Sequence, residues 1–419
     1  MREPRFPGRV RVGMALYGDL TYDSRVRREA RTLARAGYDI SLVCLANESR
    51  ATDLPENVKV LVHRPTLTPV LPGSPNPFAE GPRDRISAAA RSMRWLRAYG
   101  RNLRAWGRAA VAMCGPVDIW HAHDLTGLAA IAPVANKTAL IVYDSHELFL
   151  DNETALRLPR PARTLLRAYE RRLVSRVSAV VTVNDGFAGV LRQQYKPRRI
   201  VVVHNCPDRW SPPPARADLI RGAAAIPGSA HVILYHGVLS QDRGIEQLMD
   251  ALLLPGLEEA HLVLLGYGVK RDAFVATAGQ PPWRGRVHVL DPVPPASLLS
   301  WVASADVGGV LHPASRLDHL KTPNKIFECL AAGIPVVASD FPAMRRIVID
   351  DPSGVLGVVC DPSRVEEIAA ALRSVLDLDG AATESIRARC FAAAQNRWNW
   401  EVESAGLTEL YGELVRQFL

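Results

Sequence analysis

The chain has 419 residues, 48% hydrophobic and 22% charged, with 51 Lys and Arg against 43 Asp and Glu for a net charge of +8. That length accommodates two or three domains, and the mixture excludes disorder as the main state, a collagen-like chain and a disulfide scaffold. The positive balance suits an anionic small molecule, a phospholipid surface or nucleic acid; zinc-finger spacing and aromatic RNA-binding segments are missing, so no nucleic-acid partner is expected.

The opening residues Met1-Arg-Glu-Pro-Arg-Phe-Pro lead straight into a strand pattern at 10–17, with no charged-then-apolar leader. The longest apolar runs, such as Leu128–Val134 and Ile334–Ala338, fall far below the roughly eighteen residues that span a bilayer. Cys44, Cys114, Cys206, Cys329, Cys360 and Cys390 are scattered without Cys-x-x-Cys or Cys/His ligand spacing. A cytoplasmic protein is expected, with peripheral attachment to the inner face of a membrane as a further expectation.

Short β-branched runs alternate with amphipathic helical stretches, the pattern of an α/β fold with parallel sheets covered on both faces. Strands are predicted at 10–17, 39–46, 58–63, 117–121, 139–143, 178–183 and 199–204. The proline-rich stretch from Cys206 to Arg216 breaks the rhythm, and a second series follows at 231–237, 261–266, 286–290, 306–311, 335–338 and 356–360. The predicted organisation is two Rossmann-like, doubly wound domains facing across a cleft. Residues 1–205 are expected to form the first domain, 206–225 a linker, 226–396 the second domain, and 397–419 a helix crossing back to the first domain. Open α/β sheets bind ligands outside the carboxyl ends of their strands, which directs attention to the loops there.

Along the first half, Arg91, Arg94, Arg97, Arg101, Arg104 and Arg108 recur every three or four residues and make one basic stripe on a helix. His121 and His123 are placed at a strand end, as are His146 and Glu147 one strand later, where neutral imidazole and carboxylate groups can hydrogen-bond a ligand's hydroxyls; His123 is the stronger candidate. A zinc site is not expected, because a His-Glu-x-x-His and a third ligand at sensible spacing are lacking.

In the second half, Gly237-Val-Leu-Ser-Gln-Asp-Arg243-Gly244 forms a strand-to-helix turn where a phosphate can approach the backbone. Further on, Thr322-Pro-Asn-Lys-Ile-Phe-Glu-Cys-Leu-Ala-Ala-Gly333 reads as a helix with Thr322 at the N-cap and Pro323 in its first turn. Its N-terminus offers free N–H groups to a diphosphate, Lys325 adds charge, and Asn324 and Glu328 share a face. Asp377-Leu-Asp379 follows a helix and reads as a solvated helix end, not a metal motif.

Together these pieces resemble the family 4 glycosyltransferases of the GT-B fold. The resemblance is carried by Gly237…Arg243-Gly244, Leu265-Gly-Tyr-Gly268 and Pro323-Asn-Lys-Ile-Phe-Glu328…Gly333-Ile-Pro335. In the first half it is carried by Asp23-Ser-Arg-Val-Arg-Arg-Glu-Ala, His121-Ala-His-Asp124, Tyr143-Asp-Ser-His-Glu147 and Val203-His-Asn205. It implies retaining transfer of a sugar from a nucleoside diphosphate sugar to a hydroxyl acceptor, a glycan, a lipid-linked group or a small molecule, with no cofactor or metal. By the same resemblance Arg243 and Lys325 neutralise the diphosphate, Glu328 holds the ribose, the loop at Pro292 and Val293 contacts the base, and Gly18 lets the backbone approach the phosphates. The family's Glu-x7-Glu pair is incomplete: Leu320 stands at its first position, with Asp318 or His319 as substitutes. Two alternatives share the architecture, a nucleotide-sugar 2-epimerase and an inactive pseudo-glycosyltransferase partner subunit.

Overall fold

The computed structural model describes all residues except 1–8, 48–53, 65–84, 157, 213–216, 314–316 and 419. The chain divides into two compact units, one of Met1–His204 with Ser404–Leu419 and one of Asn205–Glu403.

In the first unit, β1 (Arg11–Leu16), β2 (Asp39–Cys44), β3 (Val58–Val62), β4 (Ile119–His123), β5 (Leu140–Ser145), β6 (Ala179–Thr182) and β7 (Ile200–Val202) form one sheet. The strands run in the order β3-β2-β1-β4-β5-β6-β7, and every neighbouring pair is parallel. Their apolar runs are buried because helices cover the sheet. The helix Ser24–Arg35 starts at Asp23, whose carboxylate accepts from the Val26 N–H at 3.0 Å, and buries Val26, Ala30, Leu33 and Ala34 at helical spacing. Arg25 and Glu29 are buried on the same helix.

The expected strands are all present, and the largest displacement is at β4, read as 117–121 and found at Ile119–His123. Asp118 is spent on the strand's entrance, its N–H donating to Arg11 O and its carboxylate accepting from Arg11 N–H. The ladder then continues until His123 stands opposite Leu16. His121 therefore lies inside the strand instead of at its end, because polar side chains that find buried partners do not terminate a ladder.

In the helix Arg85–Cys114, Leu103, Trp106 and Ala110 are buried, and Trp106 Nε1 donates to His63 O at 3.0 Å. Arg97, Arg101, Arg104 and Arg108 are exposed. The side chains of Arg91 and Arg94 lie outside the described residues.

The second unit holds β8 (His231–Val238), β9 (Ala260–Tyr267), β10 (Val287–Leu290), β11 (Val307–Val310), β12 (Val336–Ser339) and β13 (Gly357–Cys360). They are parallel in the order β10-β9-β8-β11-β12-β13. Alternate residues of β8 enter opposite cores, Val232 and Leu234 packing with Ile326 and Phe327, Ile233 and Tyr235 with Leu248 and Leu264.

In both sheets the order reverses direction at one place, between β1 and β4 and between β8 and β11. Those switch points are where an open α/β sheet opens a crevice at its carboxyl edge.

In the stretch read as a linker, 206–225, whose described residues are 206–212 and 217–225, Cys206 and Ile220 join the second unit's core, and Leu219–Ala224 is helical. Proline content signalled a break in the strand rhythm, but apolar side chains anchor the segment. Near the C-terminus, Trp398 Nε1 donates to Asp351 at 2.8 Å in the second unit. In the helix Trp400–Phe418, residues from Ser404 onward belong to the first unit, where Leu407, Leu410, Tyr411 and Leu414 are buried and Glu413 pairs with Arg199.

Candidate functional site

In the second unit, the groups singled out in the sequence converge on the carboxyl end of β8. Gly237 adopts φ +108°, and a Cβ there would stand 3.3 Å from Lys325 Cε and 3.5 Å from Nζ. Lys325 thus lies against the backbone at the strand's end, its ammonium 4.7 Å from the centre of the Tyr235 ring. Burial pushes its pKa down to about 8, Arg243 adding to the effect and Glu328 opposing it. Glu328 does not form the surface pair with Lys325 that helical spacing alone suggests; its Oε2 lies 2.8 Å from His236 Nε2.

The turn after β8 is tightly wound. Asp242 (φ 59°) and Gly244 (φ 68°) are both left-handed and flank Arg243, whose Nε donates to Ser240 Oγ at 3.2 Å. A Cβ at Gly244 would come within 2.5 Å of Leu311 Cβ, so the position requires glycine by conformation and by space.

The helix following β11 is Asn324–Ala331, with Pro323 at the N-cap in place of Thr322 and no side chain capping its first turn. Pro323 is extended (ψ 134°), which shifts the start by one residue. Asn324 is exposed, and Val293, three residues beyond β10, packs at the edge of the core. His319 is exposed; the side chain of Asp318 lies outside the described residues. Asp377 closes one helix through its backbone N–H, which donates to Arg373 O, and Asp379 opens the next, its carboxylate accepting from Ala382 N–H at 2.8 Å, so both residues sit at helix ends.

In the first unit, the histidines belong to a buried charge network that linear spacing does not display. Arg25 grips Asp144 with two hydrogen bonds (3.2 and 3.0 Å), donates to Val203 O at 2.7 Å and lies 2.9 Å from Glu29. His121 is fully buried, with Nδ1 2.7 Å from Tyr411 Oη and Nε2 3.2 Å from Glu29. Burial pulls its pKa down, but Asp144 and Glu29 outweigh that and raise it to about 9.

His123 is also fully buried, and its Nδ1 lies 3.2 Å from Asp144. Burial lowers its pKa, Asp144 opposing the effect and the neighbouring His121 adding to it. Its Nε2 has no hydrogen-bond partner among the described residues. Of His121, His123 and His146, it is His146 that reaches the surface, with 18% of its side chain exposed.

His146 sits between Asp144 (2.6 Å) and Asp124 (3.5 Å). Burial opposes its charge, but these two carboxylates raise its pKa to about 10. Asp124 is left-handed at φ 56°, strained for a residue other than glycine, at the end of β4. Glu147 is exposed and accepts from Asn152 Nδ2 at 2.7 Å. Gly18 has ordinary φ, and among the described residues a Cβ there would meet only the Leu16 side chain, Cδ1 at 3.4 Å and Cγ at 3.6 Å, so the fold itself leaves room for a larger residue.

Glu29, His121, His123 and Asp144 each bring a donor atom to within 4.8 Å of the others, a metal-ligand grouping assembled from three separate segments. Arg25 is already paired with both of its carboxylates and supplies the compensating charge. Sequence reasoning gave no role to Arg25, Glu29, Asp144, Tyr411 or His236. The detectable signals were Arg25 and Glu29 on the apolar face of a helix and Asp144 at the end of an apolar strand.

The sequence matches two family models, one described as Glycosyltransferase Family 4 over residues 24–209 and one as Glycosyl transferases group 1 over residues 230–378. A D-inositol 3-phosphate glycosyltransferase of Xylanimonas cellulosilytica is 31% identical over 227 residues, 50% of each chain. A phosphatidyl-myo-inositol mannosyltransferase of Mycolicibacterium smegmatis is 30% identical over 191 residues, 44% of this chain and 46% of the relative. The chain thus spans about half the length of these curated relatives. In fold it is similar to Anabaena Alr3699/HepE, solved in complex with UDP and glucose (TM-score 0.67, 16% identity, covering 97% of this chain and 100% of that one). Two parallel Rossmann-type sheets, a glycine turn with Arg243, the Pro-Asn-Lys…Glu helix and both family matches agree: this chain belongs to the family 4 glycosyltransferases, with the GT-B fold.

Proposed function

We propose that the protein moves a sugar from a nucleoside diphosphate sugar to a hydroxyl acceptor with retention and without a metal. The single observation that carries this reading is the seating of Lys325 against Gly237 at the second sheet's switch point, beside the Arg243 turn. Two cationic side chains and an uncapped helix N-terminus are the groups that stabilise charge growing on a departing diphosphate. Glu328 is the ribose-holding carboxylate in this reading, Asn324 and Gly244 line the diphosphate, and Val293 adjoins the base. His146, Glu147 and the αL Asp124 at the strand ends of the first unit are the accessible groups for hydroxyls. His121 and His123 act from beneath, since both are fully buried.

The acceptor is read as a glycan, a lipid-linked group or a small molecule; two curated relatives are named for inositol-containing acceptors, which places polyols first for trial. Those relatives are named as transferases, which favours transfer over 2-epimerisation and over an inactive partner subunit. Arg97, Arg101, Arg104 and Arg108 form an exposed stripe, the basis for proposing peripheral attachment to an anionic membrane. No described helix is long and apolar enough to cross a membrane.

The test is release of nucleoside diphosphate from a panel of UDP- and GDP-sugars with polyol and lipid acceptors. Arg243→Ala and Lys325→Ala should each lower the rate by roughly 10²-fold or more. Near-wild-type rates in both variants would remove the assignment.

A further inference from the structure

We propose that Tyr267 is the platform on which the base of the nucleoside diphosphate stacks, with Val238 and Val293 as its apolar flanks. The inference rests on the reading of the second unit as the donor site and adds a ligand contact that lies in neither the arginine turn nor the Pro-Asn-Lys helix.

Tyr267 ends β9, and its ladder partner is Val238, the last residue of β8. Val232 and Leu234 of β8 and Val263 and Leu265 of β9 enter one core, which also holds Ile326 and Phe327 of the helix that carries Lys325. Period-two alternation continues that face to Val238 and Tyr267. At the strand ends the cover runs out, leaving Val238 39% exposed and Tyr267 51%. Val293, beyond β10, packs on the same core. The three side chains thus follow the carboxyl ends of β8, β9 and β10 in turn, on one face of the sheet.

The tyrosine's backbone is held in place. Its carbonyl accepts from Leu239 N–H at 2.6 Å. Glycines flank it, and a Cβ at Gly266 would collide with Gly237 O, one at Gly268 with Leu239 O. This segment therefore presents one side chain, a flat aromatic ring, at the strand end next to the seat of Lys325 against Gly237. Neighbouring strands stand about 5 Å apart. A nucleoside whose diphosphate rests at Gly237 and whose base reaches Val293 crosses the end of β9, one strand from each. The ring offers that base a surface to stack on, and since every base has a π-face, the platform supplies affinity without choosing among bases.

Calorimetric titration of the full chain with UDP and GDP tests the platform in the wild type, Tyr267→Ala, Tyr267→Leu, Tyr267→Phe and Lys325→Ala. The nucleotide that binds should lose about fivefold to 10²-fold in affinity in Tyr267→Ala, the scale of one base stacked on an aromatic side chain. Tyr267→Leu keeps apolar bulk for the fold but lacks the flat face, so it should weaken binding as well. Tyr267→Phe keeps the face and should bind within about twofold of the wild type. Unchanged affinity in Tyr267→Ala, wild-type affinity in Tyr267→Leu, or a loss in Tyr267→Phe as large as in Tyr267→Ala overturns the stacking role. The donor site stands in that case if Lys325→Ala still binds about tenfold more weakly. Binding of neither nucleotide to the wild type, or wild-type affinity in Lys325→Ala, removes the donor reading itself.

Discussion

Tyr411 Oη lies 2.7 Å from Nδ1 of His121, joining the last helix to the middle of β4 across 290 residues of sequence. Both side chains are fully buried, and the rings stack at 16° with centroids 6.0 Å apart. Tyr411→Phe keeps the ring and deletes one hydroxyl, leaving a buried imidazole nitrogen unpartnered. The expected loss is about 1–3 kcal/mol of stability, read as a lower midpoint in urea at pH 7. An unchanged midpoint would mean that the contact is incidental.

His121 and His146 also give the first unit a pH dependence. Their folded pKa values, about 9 and about 10, lie above the unfolded value near 6.5. Folded protein then binds more protons than unfolded protein, so stability is fully present below about pH 6.5 and falls as pH rises toward the folded values. Lys325 acts oppositely above pH 8, where its lowered pKa makes stability rise with pH. The cleanest window is therefore pH 6.5 to 8. Urea denaturation across it should show a loss in the wild type and a smaller one in His146→Gln. Identical slopes would contradict the charged state assigned to His146.

Lys325 makes a separate prediction for binding. A diphosphate favours the charged ammonium, so affinity for the free nucleoside diphosphate should be greatest below about pH 8 and decline above it as the unliganded lysine loses its proton. Lys325→Met should bind more weakly and lose that decline. Calorimetry between pH 7 and 9.5 decides the matter, and a flat wild-type profile would place Lys325 away from the phosphates.

Much of the fold is legible in the sequence because parallel strands buried on both faces announce themselves as apolar runs, and all the expected strands are found. The second-unit site is legible for a similar reason. Gly237, Arg243, Lys325 and Glu328 lie in two short segments whose turn and helix chemistry is local. The network around Asp144 is not, since Arg25, His121, His146 and Tyr411 come from separate elements and only parallel pairing brings them together. Its buried charges also bear on the end of β4, where histidines placed at a strand end are buried beside carboxylates.

The proposal of metal-free transfer predicts that EDTA leaves turnover unchanged, the diphosphate charge being met by Arg243, Lys325 and the helix Asn324–Ala331. Loss of activity in chelator, restored by magnesium or manganese, would direct attention to Glu29, His121, His123 and Asp144.

The most direct test of the central claim is titration of the full chain with UDP and GDP, in the wild type, Arg243→Ala and Lys325→Ala. One of the two nucleotides should bind the wild type, and each substitution should weaken it by about tenfold or more, the equivalent of about 1.4 kcal/mol. Binding of neither nucleotide, or equal affinity in all three proteins, would contradict the assignment of the second unit as the donor site.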